Sequence, residues 1–195
     1  YDTPIEETLR ALNEVVKENL VRHLGASNMW TWQFAKCMWL CDKLDLKKIE
    51  TMQTHYNLCY REEEREMIPF CNDQKISVFA YNPVAKGFLT GKYVRDLESK
   101  DIRYVSDPGF KPKFFKTEDF DILENVITIA KEKDVKPVQI ALAWFQKKDI
   151  TLPIIGVTKK EHVEDAVESL EIKISDDEMK RLEEPYKIQK INHLD

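Results

Sequence analysis

The sequence predicts an α/β fold of about four strand–helix units, equivalent to about half of a (β/α)8 TIM barrel. Four short apolar segments are each followed by apolar residues at helical spacing, an alternation typical of parallel βαβ units. Such units form either an open doubly wound sheet or part of a closed barrel. A Gly-x-Gly-x-x-Gly fingerprint is absent and glycines number only five, which disfavours a Rossmann unit. A complete barrel typically needs about 250 residues, more than the 195 present.

The first elements are a helix and two strands flanking a second helix. Thr3 is predicted to be an N-cap and Pro4 the first helical residue, with Glu6 and Glu7 in the first turn. Apolar residues then recur at helical spacing: Ile5, Leu9, Leu12, Val15 and Val16. The next predicted elements are a strand at 21–25, a helix at 29–44 and a strand at 49–53.

The remaining elements continue the alternation. A helix is predicted at 62–71 and a strand at 76–80, followed by a loop rich in glycine and proline. After the loop we expect helices at 119–133 and 137–147, a strand at 152–155 and a helix at 160–170. Ser175 followed by Glu178 predicts a capping box for a last short helix. We expect residues 1–195 to form a single incomplete barrel domain.

Composition narrows the classes of partner. The formal net charge of −5 gives no electrostatic reason to expect nucleic acid or an anionic membrane surface as a partner. No apolar run approaches the roughly 20 residues that span a bilayer, and no signal-like segment opens the sequence. The sequence starts at a helix signal without a methionine, so we expect an amino-terminal truncation. We also expect a cytoplasmic protein.

The four cysteines raise the question of a metal site. Cys37 and Cys41 are four residues apart on a predicted helix, and the others are Cys59 and Cys71. Zinc would need two further ligands, and no CxxC or HxxxH spacing supplies them. We therefore expect no metal site, and buried free thiols in a reducing cytosol.

Polar and aromatic residues follow the predicted strands. Ser27, Asn28 and Gln53 are short polar groups at strand ends, where they could hydrogen-bond a carboxamide such as that of nicotinamide. Alternatively, Asn28 caps the following helix. Tyr81 could present a ring face to an aromatic cofactor, the alternative being a core tyrosine. Because each motif follows a strand, we expect these motifs and Gly156 to converge at the carboxyl ends of the strands.

Two further segments suit phosphate groups. Gly87 and Gly91 permit a tight loop with exposed backbone N–H groups, and Lys92 adds a cation. The segment from Gly156 to Lys159 precedes a helix, whose backbone donors and dipole favour an anion.

The side chains of Thr158 and Lys159 add a hydroxyl and an ammonium group to that segment. They suit the extra phosphate of NADP better than a bare ribose diol. Arg103, in the long loop, is a weaker candidate for the same phosphate. The alternative for the segment is a solvated helix start.

Four segments together resemble the aldo-keto reductases, in the branch of yeast-type aryl-alcohol dehydrogenases and voltage-gated potassium channel β-subunits. They are Val21-Arg-His-Leu-Gly-Ala-Ser-Asn28, Gln53-Thr-His-Tyr-Asn-Leu58 with Tyr60-Arg-Glu-Glu-Glu64, Tyr81-Asn-Pro-Val-Ala-Lys-Gly-Phe-Leu-Thr-Gly-Lys92, and Pro153-Ile-Ile-Gly-Val-Thr-Lys159 with His162 and Asp165. The resemblance covers essentially the whole chain and implies the carboxy-terminal half of the barrel.

The resemblance also implies NADP(H) as cofactor. In the family, the position of His162 lies along the adenosine and an acid at the position of Asp165 lies near the adenine amine. Ala166 stands where the family commonly has Asn, so that contact is not carried over. The implied cofactor-binding residues are Ser27, Asn28, Gln53, Tyr81, Asn82, Pro83, Val84, Ala85, Lys92, Gly156, Thr158, Lys159, His162 and Asp165.

The family's catalytic tetrad of Asp, Tyr, Lys and His lies on the first four barrel strands, and no residue here matches it. Tyr81 matches the stacking position, and His23 and His55 match non-catalytic positions. We therefore expect no catalytic residues in this chain and no aldehyde reduction by it alone. Open barrel edges with exposed apolar faces would also favour self-association.

Two functional hypotheses follow from the resemblance. The first is an NADP(H)-dependent reductase of aldehydes and ketones to alcohols, similar to aryl-alcohol dehydrogenases, with a small-molecule carbonyl or alcohol substrate. The second is a non-catalytic pseudoenzyme, or a regulatory or binding subunit, that retains the nucleotide-binding half.

Overall fold

In the computed structural model, residues 2–92, 117–148 and 151–187 are described. The strands are β1 (Leu24–Ser27), β2 (Ile49–His55), β3 (Ser77–Tyr81) and β4 (Thr151–Ile154). The α-helices are α1 (Ile5–Lys17), α2 (Thr31–Leu44), α3 (Met67–Gln74), α4 (Thr117–Glu132), α5 (Pro137–Ala143), α6 (Lys160–Glu168) and α7 (Asp176–Glu183). Short 3-10 helices lie at Glu62–Glu64, Ala85–Thr90, Trp144–Lys147 and Ser169–Glu171.

The four strands form one parallel sheet in the order β1-β2-β3-β4, which confirms the predicted α/β class. Each strand therefore neighbours the next strand in the sequence, as successive right-handed crossovers produce. In the β1–β2 pair, Gly25 aligns with Thr51 and Ser27 with Gln53, after an irregularity next to Leu24. The arrangement is consistent with part of a β/α barrel.

Two predicted helix starts differ from the structure. Thr3 is not the N-cap of α1: Pro4 holds that position with an extended ψ of 135°, and its carbonyl accepts from Glu7 N–H at 3.1 Å. The helix predicted at 62–71 is a 3-10 turn followed by α3. Pro69 explains the break, because in a continuous helix its ring would clash with the carbonyl four residues earlier.

Other element boundaries shift by a few residues. Strand β1 begins at Leu24 rather than Val21, and β2 continues to His55. The capping box of α7 is confirmed: Glu178 N–H donates to Ser175 Oγ at 3.2 Å, and Ser175 N–H donates to Glu178 Oε2 at 2.7 Å.

The chain divides into two compact units. Among the described residues, the first unit comprises 2–55, 63–79 and 151–152, and the second comprises 56–62, 80–92, 117–148 and 153–187. In the first unit, apolar faces of α1, α2 and α3 share a core with the strands, formed by Leu9, Leu24, Phe34, Cys37, Met38, Leu40, Cys41, Ile49, Met52, Met67, Cys71, Ile76 and Val78.

The core of the second unit is aromatic at its centre. Trp144 is fully buried and its ring lies 5.1 Å from that of Tyr56 and 4.9 Å from that of Phe145. A second aromatic pair, Phe88 and Phe120, has its ring centroids 5.3 Å apart. These rings give a small unit a large buried apolar area.

The cysteines are free thiols. Cys37, Cys41 and Cys71 are buried and Cys59 is half-buried. Across the described ranges, no cluster of three or more His, Cys, Asp or Glu side chains could hold a metal ion. The helices within those ranges are also too short or too polar to cross a bilayer.

Candidate functional site

In the first unit, Ser27 and Gln53 are register partners on neighbouring parallel strands. Aligned residues of adjacent strands point to the same face of a sheet, so both side chains project from one face. Ser27 is exposed and Gln53 half-buried. Two hydrogen-bonding side chains thus lie side by side near the carboxyl ends of β1 and β2.

Asn28 follows β1 in the left-handed conformation, with φ of 52°. Its backbone N–H donates to the carbonyl of Gln53 at 3.2 Å, which extends the β1–β2 pairing by one hydrogen bond. The N-cap residue of α2 is Trp30, so the alternative in which Asn28 caps this helix is wrong. Asn28 is exposed at the end of the strand.

In the second unit, β3 ends at Tyr81 and leads into a strained loop. Tyr81 is half-buried, unlike a fully enclosed core tyrosine. Asn82, Ala85 and Lys86 have positive φ angles, as does Gly87. Several such residues in succession turn the chain sharply, a conformation that is costly for non-glycine residues and often found at ligand sites.

Backbone N–H groups of this loop donate hydrogen bonds to acceptors within the same loop. Ala85 N–H donates to Asn82 O at 3.0 Å, Gly87 N–H donates to Val84 O at 2.9 Å, and Lys86 N–H donates to Asn82 Oδ1. The expectation of exposed N–H groups at Gly87 therefore does not hold. Ala85 is fully buried and Pro83 is buried, so their side chains shape the loop.

The second unit contains a cavity of about 450 Å³. Its walls come from the loop after β3, the start of α5, and the segment from β4 into α6. Seven of the predicted cofactor-binding residues line it: Val84, Lys92, Gly156, Thr158, Lys159, His162 and Asp165. Gly87 lines it too, together with residues that were not predicted: Lys86, Thr90, Lys136, Pro137, Val138, Leu142 and Ile155.

The charge of the cavity favours an anion. Its lining includes four lysines, at positions 86, 92, 136 and 159, and one acidic residue, Asp165. With His162 neutral, the lining carries a formal surplus of three positive charges. Low-dielectric walls concentrate such a field, so the cavity attracts phosphate groups.

The start of α6 supplies one side of the cavity. Lys159 is the N-cap residue and has no side-chain cap bond. Thr158 N–H donates to His162 Nδ1 at 3.4 Å, which turns the imidazole toward the helix start. Gly156 has no neighbour within 4 Å of where a Cβ would stand, so the chain is open there. Thr158 and Lys159 are exposed along the same wall.

Asp165 is buried, 8% exposed, and its Oδ1 accepts a hydrogen bond from Lys136 Nζ at 2.6 Å. This hydrogen bond raises the pKa of Lys136 above its ordinary value. Lys136 was not among the residues predicted from the sequence, because it precedes a helix that does not follow a strand. Its position before Pro137, at the N-cap of α5, was the available signal.

The other predicted residues are placed as follows. Tyr81 is the last residue of β3, and Asn82, Pro83 and Ala85 belong to the following loop, whose residues Val84, Lys86 and Gly87 line the cavity. Ser27, Asn28 and Gln53 belong to the first unit. Arg103 lies outside the described residues.

Comparisons with known proteins bear on residues 1–187, which match the Aldo/keto reductase family. The Saccharomyces cerevisiae protein AAD16, named as an aryl-alcohol dehydrogenase, is 36% identical over 193 residues, covering 97% of this chain and 55% of that protein. Versiconal hemiacetal acetate reductase of Aspergillus parasiticus is 35% identical over 188 residues, covering 95% and 54%.

A solved structure agrees with the family match. The thermostable aldo-keto reductase Tm1743, crystallised with the inhibitor epalrestat, superposes with a TM-score of 0.73 at 25% identity, covering 95% of this chain and 56% of that one. The chain spans about half the length of the curated relatives that it matches. The chain therefore belongs to the aldo/keto reductase family, as its sequence motifs, its parallel strand–helix order, the family match and the solved structure all indicate.

Proposed function

We propose that this chain forms the NADP(H)-binding part of an aldo-keto reductase that reduces aldehydes or ketones to alcohols, in the manner of the aryl-alcohol dehydrogenases. Membership of an oxidoreductase family that uses nicotinamide cofactors is the ground for the reaction type. The observation that carries the preference for NADP(H) is the lysine-lined cavity that includes the start of α6. Four free thiols fit a cytoplasmic setting.

The cavity fits a nucleotide phosphate in size and charge. At about 450 Å³ it falls within the usual range of ligand pockets, roughly 300–1,000 Å³. Lys159 and Thr158 would hold the 2′-phosphate of NADP(H), with an ammonium group, a hydroxyl group and the helix dipole acting together. Lys86 and Lys92 would face the pyrophosphate. Because the loop's own amides are used internally, these side chains would supply the charge.

The nicotinamide end is proposed to use the residues at strand ends. In the first unit, Ser27, Asn28 and Gln53 would hydrogen-bond a carboxamide. In the second unit, Tyr81 would present a ring face for stacking. The cofactor would supply the hydride, and these side chains would orient the ring so that one face meets the carbonyl substrate.

Substitution of Lys159 tests the cofactor preference. Lys159→Ala should raise the Kd for NADPH by about tenfold or more, since a charge-assisted hydrogen bond contributes roughly 1.5–3 kcal/mol. The Kd for NADH should change little, because NADH lacks the 2′-phosphate. Quenching of tryptophan fluorescence on titration with each cofactor measures both constants.

Lys160→Ala is the matched control. Lys160 is the next residue, but its ammonium pairs with Glu164 at 3.1 Å and it does not line the cavity. Its substitution should leave both Kd values within about twofold of wild type. Equal weakening of NADPH and NADH by Lys159→Ala would contradict a role for Lys159 at the 2′-phosphate.

A second candidate is a non-catalytic nucleotide-binding subunit. It is favoured by the cavity, whose lining residues suit the binding of a nucleotide and need no catalytic group to do so. Oxidation of NADPH in the presence of an aromatic aldehyde such as nitrobenzaldehyde discriminates the two. Turnover would support the reductase, whereas NADPH binding without turnover would support the binding subunit.

A further inference from the structure

Asp165 places a carboxylate in a cavity that otherwise attracts anions. The residue is 8% exposed, so water screens its charge poorly. It is the one acidic residue among the described residues that line the cavity. An uncompensated carboxylate there would repel a phosphate dianion and would itself be costly to bury.

Lys136 compensates that charge through an ion pair. Its Nζ lies 2.6 Å from Asp165 Oδ1, and its backbone N–H donates to Gln139 Oε1 at 2.8 Å. Gln139 is buried and donates from Nε2 to Glu168 Oε2 at 2.6 Å. Lys136, the N-cap residue of α5, and Gln139 within that helix thus each bond to α6, at positions 165 and 168. The backbone of Lys136 is thereby held next to α6, and its side chain, 61% exposed, reaches the carboxylate from there.

We propose that Lys136 is a specificity-determining residue: it neutralises Asp165 and thereby allows the cavity to accept the phosphate that distinguishes NADP(H) from NAD(H). This role rests on the proposed function and adds Lys136, at the start of α5, to the residues that determine which cofactor binds. Lys136 acts through Asp165, so it is a positioning residue. Its effect should depend on whether residue 165 carries a charge.

A double-mutant cycle of Lys136→Met and Asp165→Asn distinguishes neutralisation of Asp165 from direct contact between Lys136 and the phosphate. Lys136→Met leaves Asp165 unneutralised and should raise the Kd for NADPH about tenfold, with less than a threefold change for NADH. Adding Asp165→Asn removes the unneutralised negative charge but keeps an oxygen that accepts hydrogen bonds, so Lys136→Met/Asp165→Asn should return within about threefold of wild type for NADPH. If Lys136 instead touched the phosphate, the double variant would stay as weak as Lys136→Met.

The inference is overturned if Lys136→Met leaves the ratio of the two Kd values unchanged, or if the double variant does not recover. Circular dichroism and thermal unfolding check that each variant folds. If Lys136→Met fails to fold, comparing the NADPH Kd of Asp165→Asn with that of the double variant still distinguishes neutralisation from direct contact. Neutralisation predicts that removing Lys136 has less than a threefold effect once Asp165 is Asn, whereas direct contact predicts a large loss.

Inorganic pyrophosphate is the second probe, because its terminal phosphate groups carry charges that the pyrophosphate diester of NADH lacks and can therefore stand in for the 2′-phosphate without a dinucleotide. Its binding, measured by calorimetry, should weaken in Lys136→Met and recover in the double variant. If wild type binds pyrophosphate in this pattern but not NADPH, the proposed function fails and the charge role of Lys136 stands. If wild type binds NADPH but the cycle shows no coupling, the inference fails and the proposed function stands.

Discussion

At the scale of single residues, hydrogen bonds within the loop after β3 determine which of its groups can meet an anion. Asn82 uses both its carbonyl and its side-chain oxygen to accept from Ala85 and Lys86. The side chain of Asn57 in turn donates to the Asn82 carbonyl at 3.0 Å. Backbone donors at the loop are therefore occupied, and lysine side chains become the groups that meet an anion.

Gly25 gives a residue-scale prediction. A Cβ added at Gly25 would lie 2.5 Å from Thr51 Oγ1, well inside contact distance, on the neighbouring strand. Gly25→Ala should therefore force Thr51 to rotate or the strands to separate, at a cost of about 1–3 kcal/mol in the free energy of unfolding. Guanidinium denaturation followed by circular dichroism measures the difference.

Gly156→Ala is the control for this substitution. No atom lies within 4 Å of a Cβ added at Gly156, so its stability should stay within about 0.5 kcal/mol of wild type. Equal stability of Gly25→Ala and Gly156→Ala would show that the close approach of β1 and β2 is not the constraint at Gly25.

At the scale of elements, Glu183 fixes the end of α7 within the second unit. Its Oε1 accepts from Trp144 Nε1 at 2.7 Å and pairs with Lys148 Nζ at 2.7 Å. Its Oε2 pairs with Arg61 Nη2 at 3.1 Å, and Arg61 also donates to the Glu183 backbone carbonyl. One side chain therefore ties α7 to a buried tryptophan and to a guanidinium group that is 11% exposed.

We expect Glu183→Ala to destabilise the protein by about 2 kcal/mol. The substitution removes the acceptor of a buried indole N–H and the carboxylate opposite a mostly buried guanidinium group, and both losses are costly. Thermal and chemical unfolding measure the change, and Trp144 fluorescence reports on the indole environment.

Glu184→Ala provides the comparison, since Glu184 is the exposed neighbour at the end of the same helix. That change should stay within about 0.5 kcal/mol of wild type. A similar loss for both variants would mean that helix end effects, rather than the Glu183 contacts, set the stability.

At the scale of the whole molecule, the four thiols share a response to pH. Burial raises the pKa of Cys37, Cys41 and Cys59, and it raises that of Cys71 to about 12 with help from nearby Glu63. Each thiol is thus held in its neutral form by folding. An unfolded thiol has a pKa of roughly 8.5.

Stability should therefore fall in alkaline solution. A group whose pKa is raised by folding contributes stability that is fully present below its unfolded pKa and is lost as pH rises toward the folded value. For Cys71 the window runs from roughly pH 8.5 to about 12. Between pH 8 and pH 10, the free energy of unfolding should fall by about 2 kcal/mol less in Cys71→Ala than in wild type.

Denaturant unfolding with reductant at each pH measures this difference. Matched slopes of stability against pH for wild type and Cys71→Ala would contradict the role of Cys71. Two further expectations about the whole chain stay predictions: the lack of aldehyde reduction by this chain alone, and self-association. The exposure of Leu152 and Ile154 on β4, 53% and 42%, is compatible with the second.

The sequence alone determined the α/β class, the family and the strand-end motifs. Apolar strands alternating with helical periodicity depend on local pattern, and Ser175 with Glu178 is a local capping signal, so both could be read along the chain. Pro69 was also visible inside the helix predicted at 62–71, where an interior proline signals a break, so the separation of the 3-10 turn from α3 could have been predicted.

Only the tertiary structure decided how the charges of the cavity are arranged. Lys136 and Asp165 are 29 positions apart, and nothing in the local pattern of either indicates that their side chains bond. The occupied amides after β3 likewise depend on backbone angles at Asn82, Ala85 and Lys86 that non-glycine residues seldom adopt. Periodicity encodes which residues face a core, whereas contacts between distant segments arise only from the way those segments pack.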